Sequence, residues 1–147
     1  MEEFEDIKNE MKRAEHLYFV SLKYTRTGDV IISLIDRLIS AMELSIDFLF
    51  KIKDIKEVPD APVQKAVQIK KAYQDDKIIG DMIDTYLMFR KIANSEKEVT
   101  GEFRRPLKVT VHIPDLEEPL ELTIDSMQSY YEKTEKFVKH IGELLND

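Results

Sequence analysis

The chain has no cysteine, no tryptophan and only four glycines among its 147 residues. Without cysteine, it forms no disulfide and offers no thiolate as a metal ligand or nucleophile. The few glycines form neither a phosphate-cradling loop nor a Gly-x-Ser-x-Gly turn. These absences exclude several common classes of catalytic and binding site.

A long uncharged apolar segment is also missing. The most apolar stretch, residues 30–50, contains the charged side chains of Asp36, Arg37, Glu43 and Asp47, which argue against a membrane helix. The acidic first residues lack the basic start of a signal peptide. We therefore expect a cytoplasmic protein with no membrane partner.

The overall charge limits the kinds of partner. A net charge of −7 argues against broad, non-specific nucleic-acid binding, although a local basic patch is compatible with it. The three histidines, His16, His112 and His140, lie far apart in sequence, so we expect no metal site and no cofactor. The length and the apolar content of 43% predict one globular domain, residues 1–147.

Apolar residues at alternating spacings of three and four predict helices over most of the chain. The five predicted helices cover about residues 2–24, 30–53, 62–73, 76–93 and 125–145. Within them, Pro62 suits a first helical turn, Asp76 suits an N-cap, and Asp125 with Gln128 resembles a capping box.

The second predicted helix is apolar over most of its circumference. Such a helix is central to a bundle or contributes to a subunit interface. One small bundle would not readily hide so much apolar surface, and large exposed patches mark interaction sites. We therefore predict a homodimer.

The apolar period changes from helical to two-residue alternation at Leu107. Apolar residues alternate with polar ones up to Ile113, and again from Leu120 to Ile124. This pattern predicts a β-hairpin at about residues 107–124, placed before the last helix. The predicted fold class is therefore mainly all-α, a five-helix bundle with one inserted hairpin.

Most candidate functional residues lie in the segment from Arg90 to Arg105, which begins on the fourth predicted helix and continues as a loop up to the strand pattern. If the loop folds back, its four cations could converge on a phosphate or an acidic peptide. The alternative is that they only pair with the glutamates of the same segment. The cations are Arg90, Lys91, Arg104 and Arg105, and the glutamates are Glu96, Glu98 and Glu102.

The helix pattern, the long apolar second helix and Arg90 near the end of the fourth helix resemble the HEPN superfamily of small helical bundles. Many of its members are metal-independent endoribonucleases, toxins or partners of minimal nucleotidyltransferases. Their motif is an Arg, a polar residue and, a few residues on, a His, and it works across a dimer interface. Arg90 and Lys91 match its start, but residues 92–97 contain no His.

The resemblance and the basic segment together suggest three functions. The leading one is a non-catalytic or weakly catalytic dimeric module that binds RNA, a nucleotide or an acidic partner through Arg90, Lys91, Arg104 and Arg105. An alternative is a metal-independent endoribonuclease with a replaced motif His, for which Arg90 is the candidate catalytic residue. A third is a structural homo-oligomeric assembly protein whose basic loop makes only salt bridges.

Overall fold

The first helix changes its hydrogen-bonding pattern before it ends. The structure is a computed structural model that describes residues 2–103 and 106–146. Helix α1 is α-helical over Glu2–His16, π-helical over Leu17–Ser21 and α-helical again over Leu22–Tyr24. The elements that follow are α2 Gly28–Ile52, α3 Pro62–Ala72, α4 Lys77–Ala93, β1 Glu96–Thr100, β2 Lys108–His112, β3 Leu120–Leu122 and α5 Ile124–Leu145.

The predicted fold class is confirmed in its main features. The described residues form five helices, and the hairpin of β2 and β3 lies before the last of them. The prediction of a loop between the fourth helix and the hairpin was wrong in part, because β1 lies within it and pairs antiparallel with β2. With only one apolar residue, Val99, β1 lacks the alternation that identified the other strands.

Strand β1 is an edge of the sheet, whose order is β1-β2-β3. Val99 stands opposite Val109, and Lys97 stands opposite Val111, so a lysine shares the inner face with buried valines. Its ammonium group donates to two backbone carbonyls at the end of α4 and just beyond it, at 3.2 and 2.8 Å. A charged residue that points inward opposes pairing of the edge with another sheet.

Helix α2 lies at the centre of the bundle, in contact with α1, α3, α4 and α5. Most of its apolar side chains are buried inside the single chain, including those of Ile31, Leu34, Ile35, Leu38, Met42, Ile46, Leu49 and Phe50. The apolar surface on which we based the homodimer is therefore largely covered by the chain's own helices. The homodimer itself stays a prediction.

The structure confirms one predicted helix N-cap and replaces another. The carboxylate of Asp76 accepts hydrogen bonds from two amides in the first turn of α4, at 3.0 and 3.1 Å, as predicted. Helix α5 is capped by Thr123 and Ser126, which form a reciprocal capping box, so the expected box of Asp125 and Gln128 was wrong.

Among the described residues, no helix is both long enough and apolar enough to cross a membrane.

Candidate functional site

Arg90, the residue that suggested a motif, lies in a hydrogen-bonded network between α2 and α4. Its Nη1 is 3.3 Å from Oε2 of Glu43, and its guanidinium lies 5.9 Å from the centre of the Tyr86 ring. The Tyr86 hydroxyl donates to the same Glu43 oxygen at 2.7 Å. We call Arg90, Glu43 and Tyr86 the Arg90 network.

The electrostatics of this network favour the bonds that it already makes. Burial, and then the hydrogen bond to Glu43, raise the pKa of Tyr86, so its hydroxyl remains a donor at neutral pH. The side chain of Arg90 is only 29% exposed. A phosphate at Arg90 would have to compete with a carboxylate that is already in place.

Lys91 forms an ion pair with a different acidic residue from the one that pairs with Arg90. Its Nζ is 2.8 Å from Oδ2 of Asp115, in the connection between β2 and β3. The hydrogen bond from Lys91 lowers the pKa of the Asp115 carboxyl. The structure therefore does not bring the side chains of Arg90 and Lys91 onto one shared partner.

Strand β1 also separates the two ends of the basic segment. Its five residues span about 13 Å at 3.3 Å per step. At the far end, the amide of Phe103 donates to the carbonyl of Arg26, in the connection between α1 and α2, at 2.6 Å. Arg104 and Arg105 lie outside the described residues.

Two glutamates of the same segment, Glu98 and Glu102, have other partners among the described residues. The carboxylate of Glu102 accepts from the amide of Gly28 at 3.3 Å, and Glu98 lies 3.7 Å from His112 on the outer face of the sheet. Gly28 is required there, because a Cβ at that position would lie 2.5 Å from a methyl carbon of Val99. The segment is thus anchored to the start of α2.

Sequence analysis missed a cleft of about 450 Å³ between the π-helical turn, the β1–β2 connection and the start of α5. Its walls include the aromatic rings of Tyr18 and Phe19, the cations Lys23 and Arg26, and Pro106. We call it the aromatic cleft. Its volume lies within the range of about 300–1,000 Å³ that is usual for ligand sites.

The π-helical turn explains why two consecutive aromatic residues both reach the cleft. In this turn the amide of Leu22 bonds to the carbonyl of Leu17, five residues earlier. Inserting a wider turn shifts the side-chain register, and such turns often occur at functional sites. The sequence signal is that Phe19 lies off the apolar stripe to which Tyr18 belongs. In the structure, Phe19 is 55% exposed.

The rings at the cleft are held in place by one another. Tyr18 stacks on Tyr131 with ring centres 5.9 Å apart, and Phe19 meets both rings edge-on at 4.8 and 5.8 Å. Burial, and then the charges of Glu132 and Asp125, raise the pKa of Tyr18. A neutral phenol and a phenyl ring therefore form a fixed aromatic surface.

The cations at the cleft differ from those of the Arg90 network. In residues 2–103 and 106–146, neither Lys23 nor Arg26 forms an ion pair with a carboxylate. Asp125 contributes one negative charge to the cleft wall, so the lining carries a net positive charge within an acidic protein. This combination suits an anion that also carries an aromatic ring.

The histidines do not assemble into a metal or proton-transfer site with the Arg90 network. His140 lies 2.7 Å from Asp76, and His112 faces Glu98 as described above. In the part of the chain that the structure describes, no three His, Asp or Glu residues are placed to hold a metal ion.

Comparison with known proteins gives no match. No family model, curated protein or solved structure matches the chain. The resemblance to the HEPN superfamily and the motif at Arg90 therefore stay predictions.

Proposed function

We propose that this protein is a non-catalytic or weakly catalytic module that binds RNA or a nucleotide, with the aromatic cleft as its base-binding site. The observation that carries this proposal is that one cleft has both fixed aromatic rings, Tyr18 and Phe19, and two cations, Lys23 and Arg26, on its walls. Neither the Arg90 network nor Lys91 offers that combination.

The chemistry of a nucleotide matches the two halves of the cleft. Every base has a π-face, and stacking on an aromatic side chain contributes about 1–3 kcal/mol per base. The phosphate would meet the ammonium and guanidinium groups of Lys23 and Arg26. Because the whole chain carries a charge of −7, we expect a short footprint confined to the cleft, rather than a broad surface.

The endoribonuclease alternative has less support. The guanidinium of Arg90 is held by Glu43, and the six residues after Lys91 provide no histidine for proton transfer. General acid–base catalysis requires such a group within hydrogen-bonding reach of the reacting oxygen. We therefore expect bound RNA to be cleaved slowly or not at all.

The homodimer remains part of the proposal, but with a different surface. The rings of Tyr24 and Phe103 are 76% and 71% exposed, whereas α2 is largely buried. Exposed aromatic rings of this size are enriched at interfaces. Sedimentation equilibrium decides the point, since a species of 17.3 kDa at micromolar concentration would reject the dimer.

The binding test uses a fluorescein-labelled single-stranded oligoribonucleotide of about ten nucleotides, within the usual footprint of such sites. Fluorescence anisotropy in EDTA should show saturable binding to the wild type. Phe19→Ala should weaken it about 5- to 150-fold, the equivalent of one lost stacking contact. Val20→Ala, which truncates an exposed side chain of the same π-helical turn outside the cleft lining, is the matched control and should leave the affinity unchanged.

Two results would overturn the proposal. One is the absence of saturable binding, and the other is equal affinity of Phe19→Ala and the wild type together with complete loss in Arg90→Ala. Cleavage of the RNA in EDTA that disappears in Arg90→Ala would support the enzyme instead. Competition by a nucleoside monophosphate distinguishes a nucleotide site from one that requires a longer strand.

A further inference from the structure

A second cleft, of about 480 Å³, lies between α3 and α4. Its apolar lining includes Val67, Ile83 and Leu87, and Lys71 and Lys77 stand at its rim. Val67 is 42% exposed, so this groove leaves apolar surface in contact with solvent. We call it the α3–α4 groove.

Gly80 lies in the groove and has no structural reason to be glycine within this chain. A Cβ built on it would meet no atom within 4 Å, although glycine inside a helix is less stable than alanine. The helical Gly142, by contrast, lies against Phe4, whose ring would be 2.9 Å from an added Cβ. A glycine that exposes helix backbone in a groove allows close approach of a second backbone.

The charges around the groove favour an acidic occupant. Lys70 is paired with Asp84 at 2.7 Å, and Asp76 is engaged by His140 and by the amides that it caps. Lys71 and Lys77 are exposed, and no carboxylate among the described residues pairs with them. Two exposed cations thus border an apolar floor on a protein of net charge −7.

We infer that the α3–α4 groove docks an acidic amphipathic helix of another protein. Its apolar side chains would enter between Val67 and Leu87, its backbone would pass over Gly80, and its carboxylates would face Lys71 and Lys77. A groove between two helices that are joined by a short connection accepts the ridge of a third helix. Apolar anchors in such a groove, with charges at the rim, are the usual mode of helix recognition.

The probe is a fluorescein-labelled synthetic helix of about 15–20 residues, long enough to be helical when bound. It carries leucines at i, i+3, i+4 and i+7, with glutamates on both flanks, and a matched peptide carries lysines in their place. Anisotropy should show saturable binding of the acidic peptide, weaker at high salt, and at least about tenfold weaker binding of the basic one.

Two sets of variants assign the binding to the groove. Gly80→Trp should fill it and weaken binding at least about tenfold, while Gly80→Ala should raise the melting temperature and retain binding. The double substitution Lys71→Glu/Lys77→Glu should also abolish binding. Its charge-matched control, Lys12→Glu/Lys136→Glu, changes two exposed lysines outside the groove lining and should have little effect.

The inference would be overturned by equal binding of the two peptides, by no binding, or by binding that survives Gly80→Trp in a folded protein. A dimer that becomes a monomer in Gly80→Trp, without peptide binding, would assign the groove to a second copy of the chain. The result is independent of the proposed RNA function, because Gly80→Trp should leave RNA affinity unchanged and Phe19→Ala should leave peptide affinity unchanged.

Discussion

In the Arg90 network, an arginine and a tyrosine share one carboxylate between two packed helices. In the aromatic cleft, Lys23 and Arg26 stand beside the half-exposed ring of Phe19, and no carboxylate among the described residues pairs with either cation. Both regions therefore contain cations and aromatic rings, but the bonds differ. In the network the cation binds a carboxylate of the same chain, whereas Lys23 lies over the exposed Tyr24 ring, 5.8 Å from its centre, and can still bind an anion.

The difference arises from where each region lies on its helix. Arg90 and Tyr86 are one helical turn apart on the side of α4 that faces α2, so the buried Tyr86 hydroxyl and the half-buried guanidinium both reach Glu43 across the two helices. The cleft residues lie where α1 ends in a π-helical turn and a short connection. There, neighbouring elements diverge and leave space. Clustering of cations in a sequence therefore does not by itself locate a binding surface.

The largest expected effect comes from comparing a core phenylalanine of α4, the helix that carries Arg90, with the phenylalanine of the aromatic cleft. Phe89, next to Arg90 on α4, is fully buried and packs edge-on against Tyr130 with ring centres 5.0 Å apart. Phe89→Ala should lower the free energy of unfolding by about 3–5 kcal/mol. Phe19→Ala should lower it by no more than about 1 kcal/mol, because its side chain is half-exposed.

Urea denaturation at neutral pH measures both values. Comparable losses in the two variants would contradict the distinction, because they would show that Phe19 stabilises the fold as much as a core residue does. Retention of the unfolding slope m in both variants is the control that each still unfolds as one cooperative unit.

The second test compares the two carboxylates that hold Arg90 and Lys91. Glu43→Ala removes the acceptor of the Tyr86 hydroxyl and should cost about 1–3 kcal/mol, the usual penalty for an unpaired buried polar group. Asp115→Ala breaks an exposed pair with Lys91 and should cost only about 0–1 kcal/mol. Thermal denaturation ranks the two, and Glu43→Gln, which keeps an acceptor, should lose less than Glu43→Ala.

If Glu43→Ala proved as stable as the wild type, the Arg90 network would not contribute to the stability of the fold. Arg90 would then be available to a ligand, and this result would support the motif suggested by the HEPN resemblance. A stable Glu43→Ala that also bound RNA more tightly than the wild type would point directly to Arg90 as a phosphate contact.

The parts of this fold that sequence predicts are those with a strong period. Helix α2 and the hairpin of β2 and β3 were found because their apolar residues repeat at helical or two-residue spacing. Strand β1 was missed since its inner face holds a lysine, Lys97, whose charge is satisfied by carbonyls at the end of α4. The spacing of residues along the sequence cannot predict this tertiary contact.

The candidate site was harder to predict for a related reason. The π-helical turn changes the register of Phe19 without leaving a distinctive pattern in the sequence, and the cleft joins residues from α1, the β1–β2 connection and the start of α5. Such a site depends on the packing of separate elements. The basic residues Arg90 and Lys91 were identifiable by type, but their carboxylate partners on distant elements were not.

The smallest expected effect on stability, and a specific one on binding, belongs to Arg104 and Arg105. They lie outside the described residues, but the next residue, Pro106, lines the aromatic cleft. If both bind a phosphate-bearing ligand, as the sequence suggests, replacing them with alanine should change the free energy of unfolding by only about 0–1 kcal/mol, the usual size of a surface charge contribution. RNA binding should weaken, and the slope of log affinity against log salt should become shallower by about 0.7 for each lost phosphate contact with a single strand. Thermal melts and anisotropy titrations at several salt concentrations measure the two quantities. A large drop in melting temperature with unchanged RNA affinity would instead place the two arginines in a structural network, and the cleft would then bind its ligand with Lys23 and Arg26 alone.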